Sequence, residues 1–362
     1  MRGLFTLLFG VSSVLIIDKL SSRLDGLAAA DMYFRRLLWL LIFGLANAYI
    51  FLWWGDVLFK YAVLGMLIFS FTRASYRVLT AAVLICLAVL TIHPFAEYRH
   101  MLDLQQRYID IQSKHKSAQP LTFEDQVLID QWEESVEDMQ PDYESIEDEI
   151  ETKRGYYSEI FEYNTTHVLK ENATIFYEED VWDMILYMFL GILLFRMGFF
   201  DEHIRQTVHL VIALFGIGIG LTVHAWLTLG FYDNYLDPVD SQYYLIFVDL
   251  GRFPFVFGYL SLIILIFRIG ILRCIGDAME AAGKMALTNY LTQSIIGALV
   301  FYGFGLAQFN QLTRLDIAGI IALVWTFQVI FSVLWMRRFY YGPFEWLWRS
   351  LTYWKAQPLR RT

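Results

Sequence analysis

The sequence predicts an all-α, polytopic transmembrane helix bundle of about nine spans with an acidic helical insert on one side. Composition is the first reason: 57% of the 362 residues are hydrophobic, 17% are aromatic and 18% are charged, with a mean hydropathy of +0.44. Soluble domains carry roughly 25% charged residues. The recurrence of apolar stretches of near-crossing length is the second. The third is the placement of charge. Residues 97–180 hold 22 acidic and 7 basic side chains, and the rest of the chain holds 15 acidic and 21 basic. The net charge of −9 therefore describes one acidic insert in a mildly basic, apolar chain, and it says little about ligands at the membrane.

The apolar stretches run Leu4 to Ile17, Leu37 to Trp54, Val57 to Phe71 and Val78 to Phe95. After the insert come Val181 to Phe195, Val208 to Leu229, Phe253 to Phe267, Met285 to Leu306 and Ile317 to Trp335. At 1.5 Å per residue most of them approach the roughly 30 Å of the hydrocarbon layer. They are apolar on all sides, which excludes the alternation of a barrel strand. The first run is short, so a half-span or re-entrant helix is its alternative reading. The expected organisation is 1–96 as N-terminal membrane helices, 97–180 as the insert, 181–340 as C-terminal membrane helices and 341–362 as a basic tail.

Every second connection is basic. Lys19, Arg23, Arg35 and Arg36 lie between the first two spans, Arg73 and Arg77 follow the third, and Arg196 and Arg205 follow the fifth. Arg268, Arg273 and Lys284 follow the seventh, and Arg337, Arg338, Arg349, Lys355, Arg360 and Arg361 follow the last. The positive-inside rule puts these in the cytoplasm. The C-terminus is then cytoplasmic, the insert extracytoplasmic and, with nine spans, the N-terminus outside.

Within the insert, Phe123, Val127, Ile129, Trp132, Val136 and Met139 recur at helical spacing after a Thr122 cap signal with Asp125 three residues on. Pro141 closes that helix, and a second one is expected through Ile146, Ile150, Tyr157, Ile160 and Phe161. Cys86 and Cys274 are far apart, which gives no disulfide framework. No HExxH pair, Walker loop, GxSxG elbow or RNA-binding signature occurs, so neither a metal site nor a nucleic-acid partner is expected.

Polar side chains inside spans are expensive and default to functional candidates. Asp56, at the tip of the hairpin Asn47 to Tyr61, is the candidate catalytic residue, with helix capping as its other reading. Asn47, Tyr61, Asp249, Arg252, Asn289 and Gln293 are the candidate substrate-binding residues. Asp249 and Arg252 are placed at the outer start of the seventh span. Asn289 and Gln293 share a helix face, where interhelical hydrogen bonding is the competing reading. His224 reads as a satisfied bundle histidine, and Gly216, Gly218 and Gly220 as sites of close helix packing.

Four segments together resemble the YeiB family of bacterial inner-membrane proteins, whose C-terminal half is a domain of unknown function. They are Arg2 to Gly10, Arg35-Arg36-Leu-Leu-Trp through Gly55-Asp56-Val-Leu to Tyr61, Gly283-Lys-Met-Ala-Leu-Thr-Asn-Tyr-Leu-Thr-Gln293-Ser, and Gly342-Pro-Phe-Glu-Trp-Leu-Trp-Arg349-Ser-Leu-Thr-Tyr353. The family is grouped with transmembrane acyltransferases. The resemblance therefore implies transfer of an acyl group from acyl-CoA to a cell-envelope glycan or lipid. Two departures matter. The family pattern has a further N-terminal helix with an Asp and an Arg-Gly pair, followed by an outer segment, so Met1 is not expected to begin the full domain. Asn47 stands where the family usually has His, and a neutral amide cannot act as a general base, so a histidine mechanism does not transfer.

On this reading no cofactor is tightly bound and acyl-CoA is the donor substrate, its phosphates held by Arg35, Arg36, Arg196, Arg268 and Lys284. The bilayer, an envelope acceptor and a protein partner at the acidic insert are the expected partners. A transporter or lipid-handling protein, and a non-catalytic envelope scaffold, fit the same features. Glu345 and Arg349, one turn apart, are expected to make a structural ion pair or a helix-end contact.

Overall fold

The computed structural model describes residues 2–24, 26–116, 120–270 and 273–361, and the side chains of Lys116, Glu179, Arg273 and Cys274 lie outside that description. The expectation for Cys274 thus falls outside the described residues, whereas Cys86 is a buried free thiol. Among the described residues the regular structure is helical: α1 (Arg2–Ser21), α2 (Ala28–Tyr49), α3 (Leu58–Ile68), α4 (Tyr76–Lys116), α5 (Phe123–Glu137), α6 (Tyr143–Arg154), α7 (Tyr157–Lys170), α8 (Val181–Arg196), α9 (Gln206–Asn234), α10 (Pro238–Ile269), α11 (Arg273–Lys284), α12 (Ala286–Phe301), α13 (Arg314–Met336) and α14 (Pro343–Tyr353). A π-helical stretch, Glu171–Asp180, carries α7 into α8.

Each of the nine apolar stretches contains a helix, although residues 50–54 and 302–306 leave theirs, and five described helices are long and apolar enough to cross a membrane. These are Arg2–Ser21, Tyr76–His115, Gln206–Asn234, Pro238–Ile269 and Arg314–Met336, with Leu58–Phe71 and Ala286–Phe301 as shorter apolar helices. Hydrophobic runs and helices part company where caps decide. The α10 helix begins fifteen residues before the expected Phe253, because Asp237 Oδ1 accepts from Val239 N at 2.8 Å and Asp240 N at 3.1 Å and Pro238 takes the first helical position. Asp249 and Arg252 consequently lie inside a helix and not at its start. In the insert, Thr122 and Asp125 form the expected capping box of α5. The second expected insert helix is broken at Gly155, and Glu159 accepts from Tyr156 N at 2.8 Å to start α7.

The chain divides into two compact units. Unit 1 comprises residues 1–7, 75–143 and 193–265, and unit 2 comprises 8–74, 144–192 and 266–362. In unit 1, the 41 residues of α4 run from an apolar half into a polar half, and α5 packs back on it through Tyr108 and Trp132, ring centroids 5.7 Å apart. The α9 and α10 helices meet at glycines: a Cβ on Gly216 would lie 2.4 Å from the Pro254 carbonyl oxygen and 2.8 Å from Gly258 Cα. Gly220 faces Phe255, whereas Gly218 faces open space. His224 bonds to the Gly220 carbonyl at 2.8 Å and stacks on Phe255, as a bundle histidine does.

Unit 2 is built around the α2–α3 hairpin. The Tyr33 hydroxyl donates to the Gly65 carbonyl at 2.9 Å, and Tyr61 is buried against Phe9. At Gly10 a Cβ would meet the Met188 carbonyl oxygen at 2.2 Å, which is how α1 and α8 approach so closely. The C-terminal tail returns to the end of α13, where Tyr340 N donates to Leu359 O at 2.9 Å and Arg361 N to Arg338 O at 3.0 Å.

Candidate functional site

The hairpin turn between α2 and α3 concentrates the buried polar atoms of unit 2. Gly44 permits it, since a Cβ there would lie 2.5 Å from Phe59 N and 2.6 Å from Asp56 Oδ2. Asp56, 1% exposed, uses one oxygen to cap α3, accepting from Phe59 N at 2.9 Å. Its other oxygen accepts from Asn47 Nδ2 at 2.8 Å and from the Tyr290 hydroxyl at 3.0 Å. That hydroxyl in turn accepts from Val57 N at 3.2 Å. Asp56 stands in the turn between the two apolar segments, and its burial pushes the carboxyl above the usual carboxylate range against the pull of those donors. Both carboxylate oxygens are engaged, so this geometry lets Asp56 fix the hairpin to α12 and hold Asn47 and Tyr290 in place.

Two of the sequence motifs meet nearby. Glu345 Oε1 accepts from Thr288 N at 2.9 Å and Oε2 from the Thr288 hydroxyl at 2.5 Å, while Phe344 N donates to that hydroxyl at 3.1 Å. A carboxylate on α14 thereby satisfies an orphan donor in the first turn of α12. This is the helix-end contact expected of Glu345. Arg349 does not pair with it and instead covers the Tyr341 ring at 4.5 Å.

The remaining candidates separate. Asn289 and Gln293 enter a hydrogen-bond network with α13. Asn289 Nδ2 donates to Ser332 Oγ at 3.1 Å, Gln293 Nε2 to Gln328 Oε1 at 2.7 Å, and Gln328 Nε2 to the Asn289 carbonyl at 2.8 Å. Tyr61 is an aromatic packing residue. Asp249 and Arg252 pair at 3.1 Å within unit 1. Arg196, whose carbonyl accepts from the Tyr76 hydroxyl at 2.8 Å, also belongs to unit 1. Lys284 pairs with Glu280 at 2.5 Å, and Arg268 occupies the last turn of α10. Arg35 pairs with Asp31 and lies 5.8 Å from the Trp354 ring. Arg36 stacks on Trp348 at 4.2 Å, and the Trp348 indole donates to its carbonyl at 2.9 Å. The Arg36 and Arg349 charges repel one another, and among the described residues aromatic rings, with no carboxylate contact, surround the two guanidiniums.

Sequence reasoning passed over the largest buried charge cluster among the described residues. Lys60 on α3 donates to Glu171 Oε1 and Asp180 Oδ2, each at 2.5 Å, and its side chain is 6% exposed. A lysine in an apolar helix was the visible signal, but its partners lie 111 and 120 residues away. Among the described residues no group of three His, Cys, Asp or Glu side chains is arranged to hold a metal ion.

Residues 194–355 match the model of a family described as a protein of unknown function, DUF418. Over 361 residues the chain is 26% identical to the uncharacterized protein YxaH of Bacillus subtilis (strain 168), covering 99% of this chain and 80% of that one. It is 46% identical over 81 residues to the uncharacterized protein YeiB of Escherichia coli (strain K12), 22% of this chain and 20% of that protein. A third relative, an uncharacterized 39.9 kDa protein in the amylase 3' region of Bacillus acidopullulyticus, is 33% identical over 101 residues, 28% of this chain and 29% of the relative. No solved structure matches the chain.

Proposed function

For a YeiB-like chain whose residues 194–355 match DUF418, we propose a multi-pass protein of the bacterial inner membrane that transfers an acyl group from cytoplasmic acyl-CoA to an envelope glycan or lipid. The arrangement of α2 carries this reading. In its N-terminal half stands Arg36, half-buried with Arg349 and aromatic rings and without a carboxylate contact among the described residues, which suits the phosphates of CoA. Near its C-terminal end stands Asn47, bound to Asp56 and so to Tyr290. Eleven residues of helix separate Arg36 from Asn47, about 16 Å at 1.5 Å per residue. A donor held at the basic end and an acceptor held at the hairpin end are then brought together along one helix.

On this reading the basic end faces the cytoplasm and the acidic insert faces outward, in keeping with the positive-inside rule. The net step joins an acceptor oxygen or nitrogen to the thioester carbonyl carbon, breaks the C–S bond and leaves the acceptor's proton on the CoA thiol. Asp56 acts in it as a positioning residue, because its oxygens already hold Phe59 N, Asn47 and Tyr290.

The enclosure of Asp56 favours a second reading, lipid handling without covalent chemistry. The two are separated by incubating the protein in nanodiscs of mixed envelope lipids with carbon-labelled acetyl-CoA. The first reading predicts release of CoA thiol with label in the lipid or glycan fraction, both reduced at least tenfold by Arg36→Gln. Retained acetyl-CoA in the presence of envelope extract would reject transfer and leave the second reading.

A further inference from the structure

Within unit 2 the hairpin tip, α6, the end of α12 and the loop that follows enclose a cavity of about 570 Å³, within the size range of ligand pockets. Trp53 and Trp54 face it from the hairpin, Glu149 and Lys153 from α6, Tyr302 from the end of α12 and Gln308 from the loop. Its walls are fastened. Arg154 Nε and Nη2 donate to the Phe309 carbonyl at 2.9 and 2.6 Å, and Gly303 N donates to the Lys153 carbonyl at 2.9 Å. The Leu52 carbonyl accepts from Asn164 Nδ2 at 2.8 Å and from the Tyr302 hydroxyl at 2.9 Å. Leu52 itself sits at φ +58°, a conformation that costs a non-glycine residue about 1–3 kcal/mol. A strained turn held by two buried hydrogen bonds is a preorganised wall.

The charges of this cavity are one acid and one base kept apart. Glu149 precedes Lys153 by four residues, the order in which a surface helix favours a Glu–Lys pair. The Lys153 side chain turns elsewhere. It is 2% exposed, its ammonium donates to Asn164 Oδ1, and it lies 4.9 Å from the Tyr163 ring and 5.3 Å from the Tyr302 ring. Glu149 and Lys153 attract each other through space, with no ion-pair contact between them. The cavity therefore offers a buried cation for a phosphate, and a carboxylate with indole faces for an ammonium.

We propose that this cavity receives the zwitterionic headgroup of an ethanolamine-type phospholipid. The phosphate meets Lys153, the primary ammonium meets Glu149 and the faces of Trp53 and Trp54, and the acyl chains stay in the bilayer beside the half-exposed indoles. An anionic glycerol headgroup satisfies Lys153 alone and meets repulsion from Glu149. This deepens the proposed function by naming the headgroup class, but binding requires no acyl-CoA. Loss of acyl transfer with retained lipid selectivity would reject the transfer reading alone.

The test is calorimetric titration of the full chain in delipidated maltoside micelles with dihexanoyl phosphatidylethanolamine, dihexanoyl phosphatidylglycerol and free phosphoethanolamine. Expected is at least tenfold tighter binding of the ethanolamine lipid than of the glycerol lipid, with free phosphoethanolamine weaker than the lipid. Glu149→Gln, at a half-buried position, is expected to remove the preference, and Lys153→Met to weaken both lipids. Equal binding of the two lipids by the unaltered protein, or a preference that survives Glu149→Gln, would overturn the proposal. Tighter binding of free phosphoethanolamine than of the lipid would assign the cavity to a soluble ligand and overturn it as well.

Discussion

The two units hold their helices together by different means. Between α9 and α10, unit 1 relies on backbone approach and ring packing: Gly216 against Gly258, Gly220 against Phe255, and Trp226 among Tyr243, Tyr244 and Phe247. Unit 2 ties its helices with buried polar groups. Lys60 joins α3 to Glu171 and Asp180, Asp56 joins the hairpin to α12, Glu345 joins α14 to α12, and Gln328 joins α13 to α12. Packing without polar atoms is cheap to maintain in lipid. Buried polar ties are costly unless fully satisfied, but they fix a single geometry. That contrast places the candidate site in unit 2.

The comparison breaks most visibly at Lys60. Lys60→Met strands two carboxylates without their cation, a loss of about 3–5 kcal/mol for a buried pair. A large fall in melting temperature in detergent is expected, with part of it recovered in Lys60→Met combined with Glu171→Gln and Asp180→Asn. An unchanged melting temperature for the single variant would show that the cluster is solvated. Next comes the packing side of the contrast: Gly216→Ala drives a methyl into the Pro254 carbonyl and costs about 1–3 kcal/mol. Gly218→Ala, facing open space, serves as the control that leaves the melting temperature unchanged or higher.

Glu345→Ala removes both acceptors of Thr288 and leaves a buried N–H unsatisfied, about 1–3 kcal/mol, and Glu345→Gln loses less. Equal losses for Ala and Gln would locate the effect in the charged carboxylate and its second acceptor, since Gln keeps the side chain's volume and one acceptor oxygen. Smallest is Gln328→Leu, since hydrogen bonds between membrane helices average about 0.6 kcal/mol. A loss comparable to that of Lys60→Met would mean that the α12–α13 network is more than a tie.

Helix positions were legible because hydrophobic runs and the solvent dictate them. Each of the nine runs carries a helix, and the Thr122–Asp125 box starts α5 as its sequence says. Boundaries were less legible where a cap outranks hydrophobicity. Asp237-Pro238 starts α10 well ahead of its apolar run, and Gly155 splits the insert helix. At the site, Asn47 and Asp56 were each singled out by the sequence, but as separate candidates, and their hydrogen bond across the turn is visible only in the fold. Tyr290, which completes the cluster from 234 residues away, was not singled out, since no local pattern marks a phenol that approaches through the tertiary fold. Lys60 with Glu171 and Asp180 escaped for the same reason. Asn289 and Gln293 were correctly placed on one face, but only the fold reveals that Gln328 and Ser332 occupy it.

The central claim, a donor site at the basic end of α2, is tested most directly by acetyl-CoA binding to the protein in nanodiscs, compared with Arg36→Gln, Arg349→Gln and, as a basic control, Lys284→Gln. Saturable binding, weakened at least tenfold by either arginine substitution and little by Lys284→Gln, is the predicted result, with unchanged melting temperatures certifying the fold. No binding at millimolar acetyl-CoA by folded protein, or binding indifferent to both arginines, would contradict it.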